Sequence, residues 1–303
     1  MTQTLYYTGI QGMIDFKRDY GRSKGDGTYV LPTTFLAASA SIIYVGEFSG
    51  SLLAGPINDI FGRRAVFLCA SLCIIVGAVI QVNAYGIYGV FYAGRIFVGL
   101  GIGQFTATSL MYIADVAPAP IRGPALMMFQ FMQSVAQFLG ACVNQGTKDI
   151  NGTASYRLPM GLLIALPLAM LLCLPFTPES PVWLVYKGKL KKAGKSLEKI
   201  NRSFAGYNSE RDLEIISEQV RHEQDLAAES SWSSLLRSPE ERRKLLYACG
   251  AMFAQQINGI QFWYTYGVVS RNRLELALRS RLTSSFMSSR SSLSACQLSL
   301  VTR

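Results

Sequence analysis

Charge is scarce in this sequence, and histidine is nearly missing. Of 303 residues only 16% are Asp, Glu, Lys or Arg, half are hydrophobic, and the mean hydropathy is +0.24. A water-soluble domain carries roughly 25% charged residues, so that class is excluded first. The one histidine, His222, lies in a polar helical stretch and reads as a solvated surface residue. A histidine-based hydrolase or metal site therefore has nothing to build on. The six cysteines show no metal-ligand spacing. Cys69, Cys73, Cys142, Cys173 and Cys249 fall in apolar runs, where cysteine is a small packing residue. Met1 to Asp19 lacks the charged, apolar and small-residue pattern of a signal peptide.

Acids are the scarcer sign of charge, with 19 Asp and Glu against 29 Lys and Arg, a net charge of +10. The excess maps to loops. Arg271, Arg273, Arg279, Arg281, Arg290 and Arg303 lie in a Ser- and Arg-rich tail opposed by Glu275 alone, and most of the rest follow Phe176. This is a record of topology, not a nucleic-acid surface.

What the chain has in plenty is long apolar runs. A membrane crossing needs about 20 mainly apolar residues, on the order of 30 Å of helix. The runs predict spans at roughly 29–54, 65–83, 86–113, 124–145, 157–176 and 245–268. They are apolar all round, without the polar face of a soluble bundle. Gly, Ser and Ala recur along them (Ala37, Ala38, Ser39; Gly99, Gly101, Gly103), which allows close helix packing where lipid supplies no hydrophobic drive. The expected fold class is an all-α polytopic membrane helical bundle.

Between the first two runs lies Gly55-Pro-Ile-Asn-Asp-Ile-Phe-Gly-Arg-Arg64, read as a short charged turn. Two adjacent arginines cannot sit in hydrocarbon, so it belongs at a membrane face. By the positive-inside rule that face is cytoplasmic. Arg122 and thirteen basic residues from Lys187 to Lys244 fall on the same side. The sequon Asn151-Gly-Thr153 then falls outside. Residues 177–244 read as a cytoplasmic helical insert, too small for an independent enzyme core.

Polar residues within the spans are costly and therefore informative. Arg95 either snorkels to the outer interface or faces the bundle; the glycines around it favour a buried face. Gly99-Leu-Gly-Ile-Gly103 imitates a dinucleotide loop, but lies inside one apolar run without the preceding strand, and is rejected. Gln130 and Gln137, with Gln133 beside them, share one helix face. Gln255, Gln256 and Gln261 precede Trp263, Tyr264 and Tyr266. Carboxamides donate and accept without charge, and aromatic faces cover the C–H faces of a sugar ring. Amides with aromatics and no acid–base pair imply binding and release, not catalysis. No catalytic residue, metal ligand or cofactor is assigned.

These residues resemble the sugar porters of the major facilitator superfamily, of the fungal type. The resemblance rests on five motifs in order. Asp59, Gly62, Arg63 and Arg64 match the loop after the second helix, and Gly94, Arg95 and Gly99 the fourth helix. Tyr112, Asp115, Pro118, Arg122 and Gly123 match the next loop, and Pro178-Glu-Ser-Pro181 with Trp183 the exit of the sixth helix. Gln255, Gln256 and Gly259 match the seventh helix. The resemblance implies twelve helices in two halves and alternating access, of which about six are present here. Residues 1–28 would be an outer loop with a remnant of the first helix, 29–176 helices two to six, 245–268 helix seven, and 269–303 an irregular tail. It further implies Gln130, Gln137, Gln255, Gln256 and Gln261 as sugar ligands. Asp59, Arg63, Arg64, Asp115, Arg122 and Glu179 would form a cytoplasmic charge latch, with Arg95 a candidate in proton coupling.

Four positions depart from the pattern. Asp115 stands for the usual Glu, Val182 for Arg, Gln261 for the Asn of many members, and Tyr7 for the Asp of proton-coupled members. The expectation is a multi-pass transporter of monosaccharides or oligosaccharides, not an enzyme, in the plasma membrane, with sugar, protons and the bilayer as partners. The alternative is a non-transporting truncated fragment or a sensor-like membrane protein.

Overall fold

A computed structural model describes residues 7, 9–23, 25, 29–118, 121–147, 150, 152–202, 208–229 and 239–257. A short helix α1 (Ile14–Tyr20) leads into an antiparallel pair, β1 (Arg22–Ser23) and β2 (Tyr29–Val30), in register Arg22 to Val30. Long helices follow: α2 (Thr33–Phe61), α3 (Arg63–Val82), α4 (Tyr88–Val116), α5 (Arg122–Thr147) and α6 (Ala154–Cys173), the last extended by a 3₁₀ turn at Leu174–Phe176. Then come α7 (Pro181–Tyr186), α8 (Leu190–Ile200), α9 (Ser209–Glu229) and α10 (Pro239–Ile257). Among the described residues, α2 to α6 are long and apolar enough to cross a membrane. The span expected at 245–268 overlaps α10; residues 258–268 lie outside the described residues, as does Asn151 of the sequon.

The predicted turn at residues 55–64 is corrected by the structure. The helix runs on through Pro56 to Phe61 and breaks only at Gly62, whose φ of 89° a side chain would rarely tolerate. Proline inside a helix deprives the carbonyl four residues earlier of its donor. Here that is Leu52, on an exposed face, so the loss kinks no packed surface. Only that one residue separates α2 from α3.

Close packing is built from glycine. A Cβ placed on Gly46 would lie 2.4 Å from the Ile96 carbonyl oxygen, and one on Gly99 2.3 Å from that of Ile43. Gly50 and Gly103 repeat the contact a turn further on. On another face of α4, Gly94 and Gly101 meet α3 at Gly77 and Ala70 in the same way. Helix α4 is thus clamped between α2 and α3 at backbone contact distance, as small residues permit in lipid. The Gly99, Gly101 and Gly103 run is packing surface within a helix.

The two ends of the bundle differ. At one, α1 and the hairpin cover an aromatic cluster of Tyr7, Phe16, Tyr20, Phe35, Phe91 and Tyr156. Polar tips are tied down around it: the Tyr88 hydroxyl donates to the Tyr20 carbonyl at 2.9 Å, and that of Tyr156 to Asp19. Burial pushes the Tyr20 phenol up to about 12. At the other end, α7, α8 and α9 form a small core of Trp183, Leu184, Val185, Ala193 and Val220. These three helices fall within residues 177–244. Helix α5 is peripheral, with only Asn144 and Thr147 buried.

Candidate functional site

The basic end is organised by Glu179. Its carboxylate accepts from the main-chain N–H of Arg63 (2.9 Å) and Arg64 (3.3 Å), the first residues of α3, and from Ser180 N–H (3.1 Å). The opening N–H groups of a helix have no partner of their own and carry the positive end of its dipole, so an anion is held there. Gly62 makes this possible: a Cβ at that position would sit 2.9 Å from Glu179 Oε2. Glu179 thus caps a helix through its backbone, not by pairing with an arginine side chain.

The arginines are committed elsewhere. Arg63 Nε lies 3.0 Å from Asp115 Oδ2, within ion-pair distance but not aligned as a hydrogen bond. Asp115 also accepts the Ser180 hydroxyl at 2.7 Å, while Ser180 Oγ receives the Trp183 N–H and so caps α7. Arg64 Nη2 donates to the Leu174 carbonyl at 3.1 Å, joining α3 to the end of α6. The Tyr112 hydroxyl donates to Pro178 O at 3.0 Å, and Trp183 Nε1 to Asp59 O at 3.1 Å. The chain ends of α2, α3, α4, α6 and α7 are therefore bound by one network. Asp59 contributes through its main chain, and Arg122 is exposed at the start of α5.

A second polar centre lies in mid-bundle. Arg95 is 1% exposed, which excludes snorkelling. Its Nε donates to the Ser39 carbonyl of α2 at 3.1 Å, and its guanidinium stacks over the Tyr7 ring at 3.8 Å. A desolvated cation–π contact of this kind contributes about 2 kcal/mol. Arg95 Nη2 has no hydrogen-bond partner among the described residues, and neither has Glu47 Oε1, on the α2 face within electrostatic reach. Other buried polar groups of the bundle are Gln81, Gln104 and the hydrogen-bonded Asn58–Thr108 pair (2.9 Å).

Of the residues proposed as sugar ligands, Gln130 is exposed and Gln137 half-buried on α5. Gln255 and Gln256 lie on α10, and Gln261 lies outside the described residues. Reasoning from sequence missed Glu47, although it is the only acid in the run from Tyr29 to Ala54. It also missed Ser180, for which the sequence carries no signal beyond its place in the exit motif.

The chain matches the model of the family described as "Sugar (and other) transporter" over residues 3–287. It is 30% identical to the low-affinity glucose transporter HXT3 of Saccharomyces cerevisiae over 272 residues, covering 89% of this chain and 48% of that protein. Hexose transporter HXT9 of the same yeast is 31% identical over 262 residues, 86% of this chain and 46% of that one. The chain thus spans about half the length of the curated relatives it matches. Among solved structures, the partially occluded inward-open xylose transporter XylE of E. coli superposes with a TM-score of 0.65 at 22% identity. That match covers 88% of this chain and 65% of the other. XylE bound to 6-bromo-6-deoxy-D-glucose gives 0.59 at 22% identity, over 73% and 52%. At such identity the likeness speaks for the fold.

Proposed function

From membership of the sugar transporter family, to which this chain belongs as a fungal-type sugar porter with the major facilitator fold, we propose that the protein carries sugar across the plasma membrane by alternating access. The observation that carries this reading is the family match over residues 3–287. Hexoses are the natural first substrates to try, because the matched yeast proteins are hexose transporters. Binding and release without chemistry suits a site of carboxamides. We assign Gln130 and Gln137 to one wall of it, and Gln255, Gln256 and Gln261 to the other.

The network around Glu179 is the latch in this reading. Its contacts are directional and so are either made or broken. A conformational change that parts residues 178–180 from α3 and α4 must give up the cap, the Ser180–Asp115 bond and the Tyr112 bond together. Contacts present in one state alone bias a two-state equilibrium. Arg122 and Asp59 are held to join it through the partner half. Arg95 with Glu47 is the charge pair we assign to proton coupling, since Tyr7 offers the guanidinium a ring face and no carboxylate. Ionisable groups buried in a bundle line proton and substrate paths.

The test is uptake of labelled hexoses by yeast lacking its own hexose carriers and expressing the protein, with surface delivery checked by microscopy. Saturable uptake that Gln137→Ala weakens about tenfold in KM, the scale of one lost hydrogen-bonding group, supports the assignment. Surface-delivered protein without uptake of any hexose or disaccharide overturns it. Acidification of the medium during uptake separates proton symport from facilitated flux.

A further inference from the structure

We propose that the basic end carries a binding site for a multiply phosphorylated headgroup, filled in the cell by an anionic phosphoinositide of the adjoining leaflet. The site is a cleft of about 380 Å³ between the start of α3, the 178–183 segment and α8. Lys189, Lys192, Lys195 and Lys199 line it, with Arg64 at its inner side. Spacings of three and four residues put Lys192, Lys195 and Lys199 on one stripe of α8, with Lys189 at its N-cap. Like charges at that spacing repel.

The stripe is fixed in place by what lies behind it. Ala193 and Leu197 are buried, Ala193 in the small core with Trp183, and the Ser196 hydroxyl bonds the Glu179 carbonyl. Lys189 Nζ rests 5.4 Å from the Trp183 ring. Glu179 is the one carboxylate lining the cleft, and its oxygens already serve three main-chain N–H groups. Glu198, also on α8, takes the Ser209 hydroxyl and does not line the cleft. Arg64 Nε is buried and has no hydrogen-bond partner among the described residues, although Nη2 is anchored on Leu174.

A singly charged headgroup would leave most of these cations unmatched. A phosphate monoester carries about −1.5 to −2 and three strong acceptors, so two of them match four lysines. The volume falls within the roughly 300–1,000 Å³ of small-ligand sites. The cleft adjoins the end of α6, where the chain leaves the apolar stretch. Basic clusters just inside a membrane helix are drawn to the anionic cytoplasmic leaflet. The proposal needs that orientation but not sugar transport.

The experiment uses the full chain in phosphatidylcholine nanodiscs, titrated with short-chain phosphatidylinositol bisphosphate and read by native mass spectrometry. Saturable binding is expected. Lys192→Gln with Lys195→Gln and Lys199→Gln should weaken it roughly tenfold or more, as loss of three juxtamembrane cations would. A control carrying Lys187→Gln and Lys191→Gln, off the lining, should leave it unchanged. Competition by soluble inositol trisphosphate supports recognition of the phosphates, and its failure to compete overturns it. Equal loss in the control, or equal binding of phosphatidylserine at matched charge, would show diffuse attraction and sink the proposal. All substituted lysines are exposed, and unchanged circular dichroism checks that folding is retained.

Discussion

The aromatic end and the basic end of this bundle are closed by opposite means. At the first, Phe16 packs among Tyr20, Phe35, Phe91 and Tyr156 with ring centroids 4.7–6.3 Å apart, stacked, tilted and edge-on. At the second, Glu179 accepts from the main chain of Arg63 and Arg64 and Asp115 accepts from Ser180, at 2.7–3.3 Å along directed hydrogen bonds, with the Arg63–Asp115 ion pair beside them. Ring contacts are many, weak and tolerant of sliding. Charge-assisted contacts lose most of their value with small displacements. One end can therefore yield gradually, while the other can only hold or let go. In the transport reading proposed above, where each face opens in turn, the sharper device sits at the basic end.

Breaking the aromatic end should cost most. Phe91→Ala removes a fully buried ring, and core Phe→Ala changes cost about 3–5 kcal/mol. The detergent-solubilised chain should show a large fall in unfolding temperature, indifferent to salt. Next comes Glu179→Ala, which leaves the first turn of α3 without its acceptor and should cost about 1–2 kcal/mol. Glu179→Gln should restore part of it. Should Gln restore all of it, the charge would be irrelevant and the comparison would lose its electrostatic half. Asp115→Asn should cost about 1 kcal/mol, shrinking further in high salt, because the pair is only partly buried. A double-mutant cycle with Arg63→Gln measures the coupling.

The smallest effect is a pH limb. The Tyr20 phenol is raised from its ordinary value near 10 to about 12, chiefly by burial. Its contribution is therefore complete below about pH 10 and lost as pH rises through about 12. Between about pH 10 and 12 the chain should therefore lose stability more steeply than Tyr20→Phe, which has no proton to lose there, and alkaline unfolding followed by tyrosinate absorbance, after subtraction of the common background, should shift toward higher pH in the variant. Coincident curves would mean that the aromatic end opens before it titrates.

Much of this was readable from residues alone, unevenly. Five of the six apolar runs coincide with the helices α2 to α6, because a long run of apolar side chains favours a helix buried in lipid. The glycines of α4 announced close packing. The break between α2 and α3 was misread, because Gly55 and Pro56 look like turn residues and the helix simply absorbs them. Arg63, Arg64, Asp115 and Glu179 were all suspected. What Glu179 does was not readable, since its partners are main-chain N–H groups, which every sequence has and none displays. Glu47 was passed over because it is one acid among many apolar neighbours, and Arg95 faces it only once α2 and α4 are clamped together.

By itself, then, the sequence determined that this chain is a membrane bundle, where its long apolar runs lie, which loops are basic and which family it belongs to. All of these follow from composition, periodicity and short motifs, which act locally along the chain. Only the tertiary structure decided that Arg95 is fully buried on Tyr7 and Ser39, that Glu179 caps α3, and that three lysines of α8 and the Lys189 before it share a cleft with Arg64. Those facts depend on contacts between residues far apart in the chain, where a shift of one helix turn would exchange every partner.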